Sequence, residues 1–332
     1  MIGKSLFPIF PQQSKLFFHF RQFTNWKLLL VCSRILTHSR TATSASTSSS
    51  KDSIHGAKPV KLAYTSYEST DPIITNSTPV IILHGLLGSK SNWNSISKAL
   101  YNKTNRKIVN VDARNHGASP FSDDMSYAHM TGDVLALMKD LEIKKAAVIG
   151  HSMGGRTAMN LALNFPDAVE SLIVLDISPF GISSEFSNVV KVVHALQNVK
   201  IEPKVSLPKA RLIADRQLSS TISDLAMRQF VLTQLYEDEN GNYKWRANVD
   251  VIKKNLDENI IKFPVDESLR YHGPTLFITG LKSNYVQSKD HEGIKMLFPK
   301  AVIKSVDSGH WPHAEKPAEF LAMASEFLNT PQ

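Results

Sequence analysis

The chain predicts an α/β fold: a mostly parallel sheet flanked by helices, with an inserted helical cap. Three observations predict it. Short apolar runs alternate with segments of helical periodicity, the stretch 177–272 breaks that alternation, and 332 residues at 42% hydrophobic content suffice for one large core.

Taken in order, an early strand is expected within Val60–Tyr67. Strands covered by helices on both sides are apolar on both faces. Val80–Leu83, Ile108–Val111, Ala146–Ile149, Leu172–Leu175 and Thr275–Ile278 fit that description, each too short for a helix, and Val302–Val306 supplies a last strand. Between them Met130, Val134, Leu137, Met138 and Leu141 recur at helical spacing and read as a core-packing face. A second helix is expected to start at Ser152 and a terminal one to run from about Ala318 to Leu328. Within 177–272 no strong strand is visible, and Ile222, Leu225, Ala226, Phe230 and Val231 share one helical face. A cap there would roof the carboxyl ends of the strands, where open α/β sheets bind ligands. There is no internal repeat.

The formal charge of +8 invites a nucleic-acid or membrane partner until it is located. Lys4, Lys15, Arg21, Lys27, Arg34 and Arg40 supply +6 of it within an acid-free segment 1–50, so the body is nearly neutral and no nucleic-acid partner is expected. Basic residues without acids, followed by the Ser/Thr tract Thr41–Ser50, read as a disordered mitochondrial transit peptide, which leaves 58–330 as the folded domain. The longest apolar run there, Leu28–Cys32, is shorter than a signal-peptide core and far short of a membrane span, so no transmembrane segment is expected. The triplets Asn76-Ser77-Thr78 and Asn102-Lys103-Thr104 point weakly the other way, toward secretion. Cys32 is the single cysteine, so a processed chain would hold no disulfide, thiol nucleophile or Cys-bound metal.

The chemistry is carried by Gly150-His151-Ser152-Met153-Gly154, set between the strand Ala146–Ile149 and a helical pattern. In that context G-x-S-x-G marks a turn so tight that the serine backbone is strained and its hydroxyl stands above the sheet. Ser152 is therefore the expected nucleophile. A serine hydroxyl needs a base, and in this chain order the histidine comes last. His310, in Ser308-Gly309-His310-Trp311 after the last strand, is the expected base, with His313 as its rival. His151 is expected to pack or cap, and His84 and His116 to hold loops. No histidine pair has zinc-ligand spacing on one helical face, and neither metal nor cofactor is expected.

The commonest place for the acid follows Thr275–Ile278, but Thr279–Tyr285 contains no carboxylate. Asp176 ends the preceding strand, where a buried aspartate needs a partner and a histidine N–H can supply one, so it is the first choice. Asp250 is the second choice and Asp307 the third. The oxyanion of an acyl-transfer intermediate needs fixed donors. Leu83-His84-Gly85-Leu86-Leu87-Gly88-Ser89 follows the first buried strand, and the backbone N–H groups of Leu86 and Met153 are the expected pair.

Read together with Val111–Gly117 (Val-Asp-Ala-Arg-Asn-His-Gly) and Val174–Pro179, these motifs resemble the α/β-hydrolase superfamily from about Val60 to Leu328. The resemblance implies a serine hydrolase of the mitochondrial matrix acting on small-molecule carboxylic esters such as acylglycerols, with the 2-oxoglutarate dehydrogenase complex as a partner. It is to a branch that also holds bacterial esterases and yeast alcohol acetyltransferases. Those relatives carry an aspartate at the position matched by Asp176, which favours the early acid. The alternatives are an alcohol acyltransferase on the same residues, and a partner-binding protein whose catalytic site is secondary.

Overall fold

The structure, a computed structural model, describes residues 38–40 by backbone course alone, and 58–69, 77–180 and 185–331 in full. The expected leader therefore lies outside the described residues apart from 38–40. Strands β1 (His38–Arg40), β2 (Tyr64–Tyr67), β3 (Val80–Leu83), β4 (Ile108–Val111), β5 (Ala146–His151) and β6 (Val169–Leu175) are followed by a separate hairpin, β7 (Leu235–Glu237) and β8 (Tyr243–Trp245), and then by β9 (Thr275–Gly280) and β10 (Ala301–Val306). All but the hairpin join one sheet in the order β1-β2-β4-β3-β5-β6-β9-β10. From β4 to β10 the pairing is parallel, while β2 runs antiparallel to both β1 and β4.

Strand order reverses beside β3, and open sheets bind ligands at such a switch point. Register brings the carboxyl tips level there: Leu83 pairs with Gly150, Gly150 with Val174, and Val174 with Phe277. The segments that follow, beginning at His84, Ser152 and Asp176, consequently leave one edge of the sheet together.

Alternation along the strands builds two apolar layers. Ile81, Leu83, Val148, Val174 and Phe277 belong to a core shared with residues of α2 (Tyr127–Asp140), α3 (Met153–Asn164) and α8 (His291–Leu297). Ile82, Ile149, Ile173 and Ile278 belong to a second core with α1 (Asn94–Thr104) and α10 (Pro317–Asn329). Each fully buried aliphatic side chain contributes about 1.5–3 kcal/mol. The expected helical face is found on α2, where Met130, Val134, Leu137 and Met138 are buried. The early strand starts four residues later than its expected limit, because the N–H groups of Val60 and Ala63 donate to Asp133 Oδ1 (2.7 Å) and Ser119 Oγ (2.9 Å) instead of entering a ladder.

Between β6 and β9 lie α4 (Phe186–Asn198), α5 (Leu207–Leu218), α6 (Leu225–Leu232), the β7/β8 hairpin and α7 (Val249–Asn255), which widens into a π-helical turn, Leu256–Ile261. The hairpin escapes a search for strands because each arm is three residues long, too short to display alternation. Only its turn is legible, at Asn240-Gly241, where Gly241 has φ +79°. The expected helix over 222–231 is displaced: Asp224 caps α6 by accepting from Ala226 N at 2.8 Å, so Leu225 and Ala226 face solvent while Val231 and Leu232 are buried. Among the described residues no helix is long and apolar enough to cross a membrane.

Candidate active site

The passage from β5 into α3 is the strained turn the motif implies. Ser152 has φ +53° and ψ −117°, a conformation side chains avoid, and its N–H donates to Leu175 O at 3.1 Å. The glycines on either side are a steric necessity. A Cβ on Gly150 would stand 2.3 Å from Gly154 O, and one on Gly154 2.3 Å from Leu83 O. The turn thus presses α3 onto the tip of β3 and leaves the Ser152 side chain half-exposed at the head of α3, where the helix dipole is positive.

Asp176, also at positive φ (+47°) and fully buried, accepts three hydrogen bonds: from Gly280 N (2.9 Å), from Ser283 Oγ and from His310 Nδ1 (2.7 Å). Because the carboxylate accepts, the His310 proton sits on Nδ1 and Nε2 keeps its lone pair. The loop carrying His310 is held on both flanks. Glu315 accepts from Gly309 N (2.8 Å) and Trp311 N (3.2 Å), and His151 Nε2 donates to His310 O (2.8 Å). A Cβ on Gly280 would meet Gly309 O at 2.0 Å, so β9 and this loop approach as closely as backbone allows. The Tyr285 ring stacks on the imidazole with centroids 3.9 Å apart, and burial, aided by the Glu185 and Asp176 charges, pushes its phenol up. Ser152 and His310 line the same cavity, and no hydrogen bond joins them in this structure.

The other acids are elsewhere. Asp250 lies exposed on α7 and accepts from Gln197 Nε2 (2.5 Å). Asp307 is exposed and paired with Lys282 (2.8 Å), whose hydrogen bond and charge hold its carboxyl below the usual range. His313 is buried flat against Trp93, with centroids 4.2 Å apart, and burial and the His310 charge bring its pKa to about 3.

Neither Leu86 N nor Met153 N donates to any group among the described residues. Two neutral imidazoles hold the Leu86 loop. Leu87, at φ +60°, donates its N–H to His116 Nε2 (3.1 Å), which places the other proton on Nδ1, facing Arg114 O (2.9 Å). Ala113 N donates to His84 Nε2 (3.0 Å), so His84 Nδ1 donates to Gly85 O (2.7 Å). Burial lowers both imidazoles, His116 to about 3. Lys90 N and Nζ donate to buried Asp112, fixing the far end of the same loop.

Ser152, Leu86, Met153 and His310 face a cavity of about 840 Å³, part of it open to solvent. Its wall is largely apolar, including Ile177, Phe186, Val192, Met227, Phe230 and Ile260. A second, polar-rimmed hollow meets it at Tyr285, His310 and Trp311.

A family model described as "alpha/beta hydrolase fold" matches residues 78–317. The chain belongs to the α/β hydrolase family. It is 43% identical over 278 residues to the "sn-1-specific diacylglycerol lipase ABHD11" of Danio rerio, covering 83% of this chain and 85% of that one. It is also 32% identical to a "Probable alcohol acetyltransferase" of Saccharomyces cerevisiae, over 75% of this chain and 77% of the relative. Among solved structures, a "Marine microorganism esterase" superposes with a TM-score of 0.73 at 36% identity, covering 81% of this chain and 99% of its own. Sequence reasoning about this hydrolase did not find Gly280, Ser283, Tyr285 or Glu315. One signal was there to use: a loop after β9 without a carboxylate can still serve the acid by donating to it, and Ser283 does.

Proposed function

We propose that this hydrolase cleaves carboxylic esters through an acyl-enzyme on Ser152. The observation that carries the reading is the 2.7 Å contact between His310 Nδ1 and buried Asp176, with His310 and the strained Ser152 lining one apolar cavity. Ser152 Oγ attacks the ester carbonyl and passes its proton to His310 Nε2 as the bond forms. Asp176 holds the ring in that tautomer and stabilises the imidazolium. The developing oxyanion is received by the N–H groups of Leu86 and Met153, each donor lowering the barrier by about 3 kcal/mol. The imidazolium then protonates the departing alkoxide. Water, deprotonated by the same Nε2, attacks the acyl carbon, releases the acid and restores Ser152.

The apolar wall supports a hydrophobic acyl group, and the diacylglycerol lipase relative supports an acylglycerol-type substrate. Fluorophosphonate is expected to label the wild type and to leave Ser152→Ala unlabelled; equal labelling of both removes the nucleophile. The acetyltransferase relative favours a second reading in which an alcohol resolves the acyl-enzyme. Product analysis in water with added ethanol separates the two, since acid accumulates under hydrolysis and ethyl ester under transfer. The proposal keeps two further expectations: a mitochondrial-matrix address on the acid-free leader, and the 2-oxoglutarate dehydrogenase complex as partner, supported by the resemblance alone. Mitochondrial import of a reporter fused to residues 1–50 tests the first, and co-purification tests the second.

A further inference from the structure

One wall of the cavity is a stretch of irregular backbone. Leu256, Ile260 and Ile261 of the π-helical turn line it, and π turns are rare and frequently found at functional sites. The carbonyls at the end of this turn are held by side chains of the sheet-packed helices. Ile261 O accepts from Arg156 Nη1 at 2.6 Å, and Ile260 O accepts from the Tyr127 hydroxyl at 2.6 Å and from Arg156 Nη1 at 3.4 Å. Arg156 Nε also donates to Ser178 O at 3.1 Å, where the chain leaves β6. Its guanidinium carbon lies 5.2 Å from the centre of the Phe186 ring of α4 and 5.9 Å from that of Phe263, which follows the turn. Arg156 stands in the first turns of α3, four residues after Ser152. The helix that presents Ser152 is thereby tied to this wall by the planar, five-donor fork of a buried arginine.

We propose that the π-helical turn Leu256–Ile261 is the end-stop that limits how long an acyl chain Ser152 accepts, with Arg156 and Tyr127 as the positioning residues that set its depth. The proposal rests on the acyl-enzyme reading and deepens it, naming linear apolar acyl groups of bounded length as the substrate class. Each methylene that finds room out of water adds about fourfold to the rate of capture, so a shift of the wall by one or two carbons is readable.

The test uses the full chain in two assays: inactivation rates with alkyl fluorophosphonates from ethyl to hexadecyl, and hydrolysis of p-nitrophenyl esters from acetate to palmitate. Both are normalised to the amount of Ser152 that can be labelled. Ile260→Ala is expected to move the preferred length upward and Ile260→Trp to move it downward, changing the long-to-short ratio about tenfold in opposite directions. Tyr127→Phe removes one hydroxyl and keeps the ring, and is expected to broaden the cut-off. Arg156→Lys keeps the charge without the fork and is expected to do the same. An unchanged length profile in Ile260→Trp and Tyr127→Phe, with Ser152 fully labelled, overturns the end-stop. Labelling whose length profile moves with these variants while no ester is turned over supports the end-stop and overturns the hydrolytic reading.

Discussion

Asp176 accepts from three partners, each from a different part of the chain: the tip of β9, the loop after it, and the His310 loop. The geometry separates it from Asp250 sharply enough for a kinetic ranking. Asp176→Asn is expected to lower kcat by at least about a hundredfold, since exchanging an acceptor for a donor reverses one of these bonds and disturbs the His310 tautomer. Asp250→Asn, at an exposed position of α7, is expected to stay within about twofold. Measuring both under saturating ester decides it, and the opposite order would return the acid to the cap. Ser283→Ala removes one donor to Asp176 and is expected to reduce kcat about tenfold while leaving KM near its original value. At this scale the sequence was informative wherever a residue announces its chemistry. Motif, chain order and the problem of a buried charge single out Ser152, His310 and Asp176 as candidates, and the structure sets His310 Nδ1 2.7 Å from Asp176. They do not single out Ser283, Tyr285 and Glu315, because an ordinary hydroxyl, ring or carboxylate acquires its role only from what the fold sets beside it.

Among the elements, the β5–α3 turn tolerates the least change. Gly154→Ala would drive a methyl group into the carbonyls of Leu83 and His84, both of them backbone, so neither can swing aside. Loss of about 3 kcal/mol or more of stability is expected, together with loss of fluorophosphonate labelling. Chemical denaturation beside a labelling assay measures both, and a variant as stable as the wild type would contradict the close approach. Elements of this kind were legible in advance. Val80–Leu83 and Ile108–Val111 end where their largely apolar runs end, because a strand buried on both faces admits a polar residue only with a partner, as Asn110 has in Ser97 Oγ at 2.6 Å. The region over the site was not legible to the same degree. α6 is shifted by its Asp224 cap, the hairpin is too short for a pattern, and a π turn has the composition of any amphipathic helix.

For the whole molecule, four buried histidines tie stability to pH. Burial lowers His84 and lowers His151 well below 6.5, and brings His116 and His313 to about 3. In the unfolded chain these rings take up a proton near 6.5, whereas in the folded protein they stay neutral to lower pH. The unfolded state therefore binds more protons in between. Stability is fully present above about pH 6.5 and declines as pH falls below it, with the losses from His116 and His313 continuing down to about pH 3. Urea unfolding at a series of pH values should show this decline, and His313→Gln should make it shallower whatever it does to the midpoint at neutral pH. A slope unaltered by that substitution would mean that His313 titrates alike in both states.

Ser152, Asp176, His310, Leu86 and Met153 all follow the carboxyl ends of strands of the one sheet, β3, β5, β6 and β10, and the segment 185–272 contributes none of them. The roof and the workshop are thus separate pieces of the gene. Under the proposed mechanism, grafting the corresponding segment of a relative between β6 and β9 is expected to redirect which molecules are admitted while the bond-breaking residues stay in place, so that one contiguous stretch of codons carries the choice of substrate.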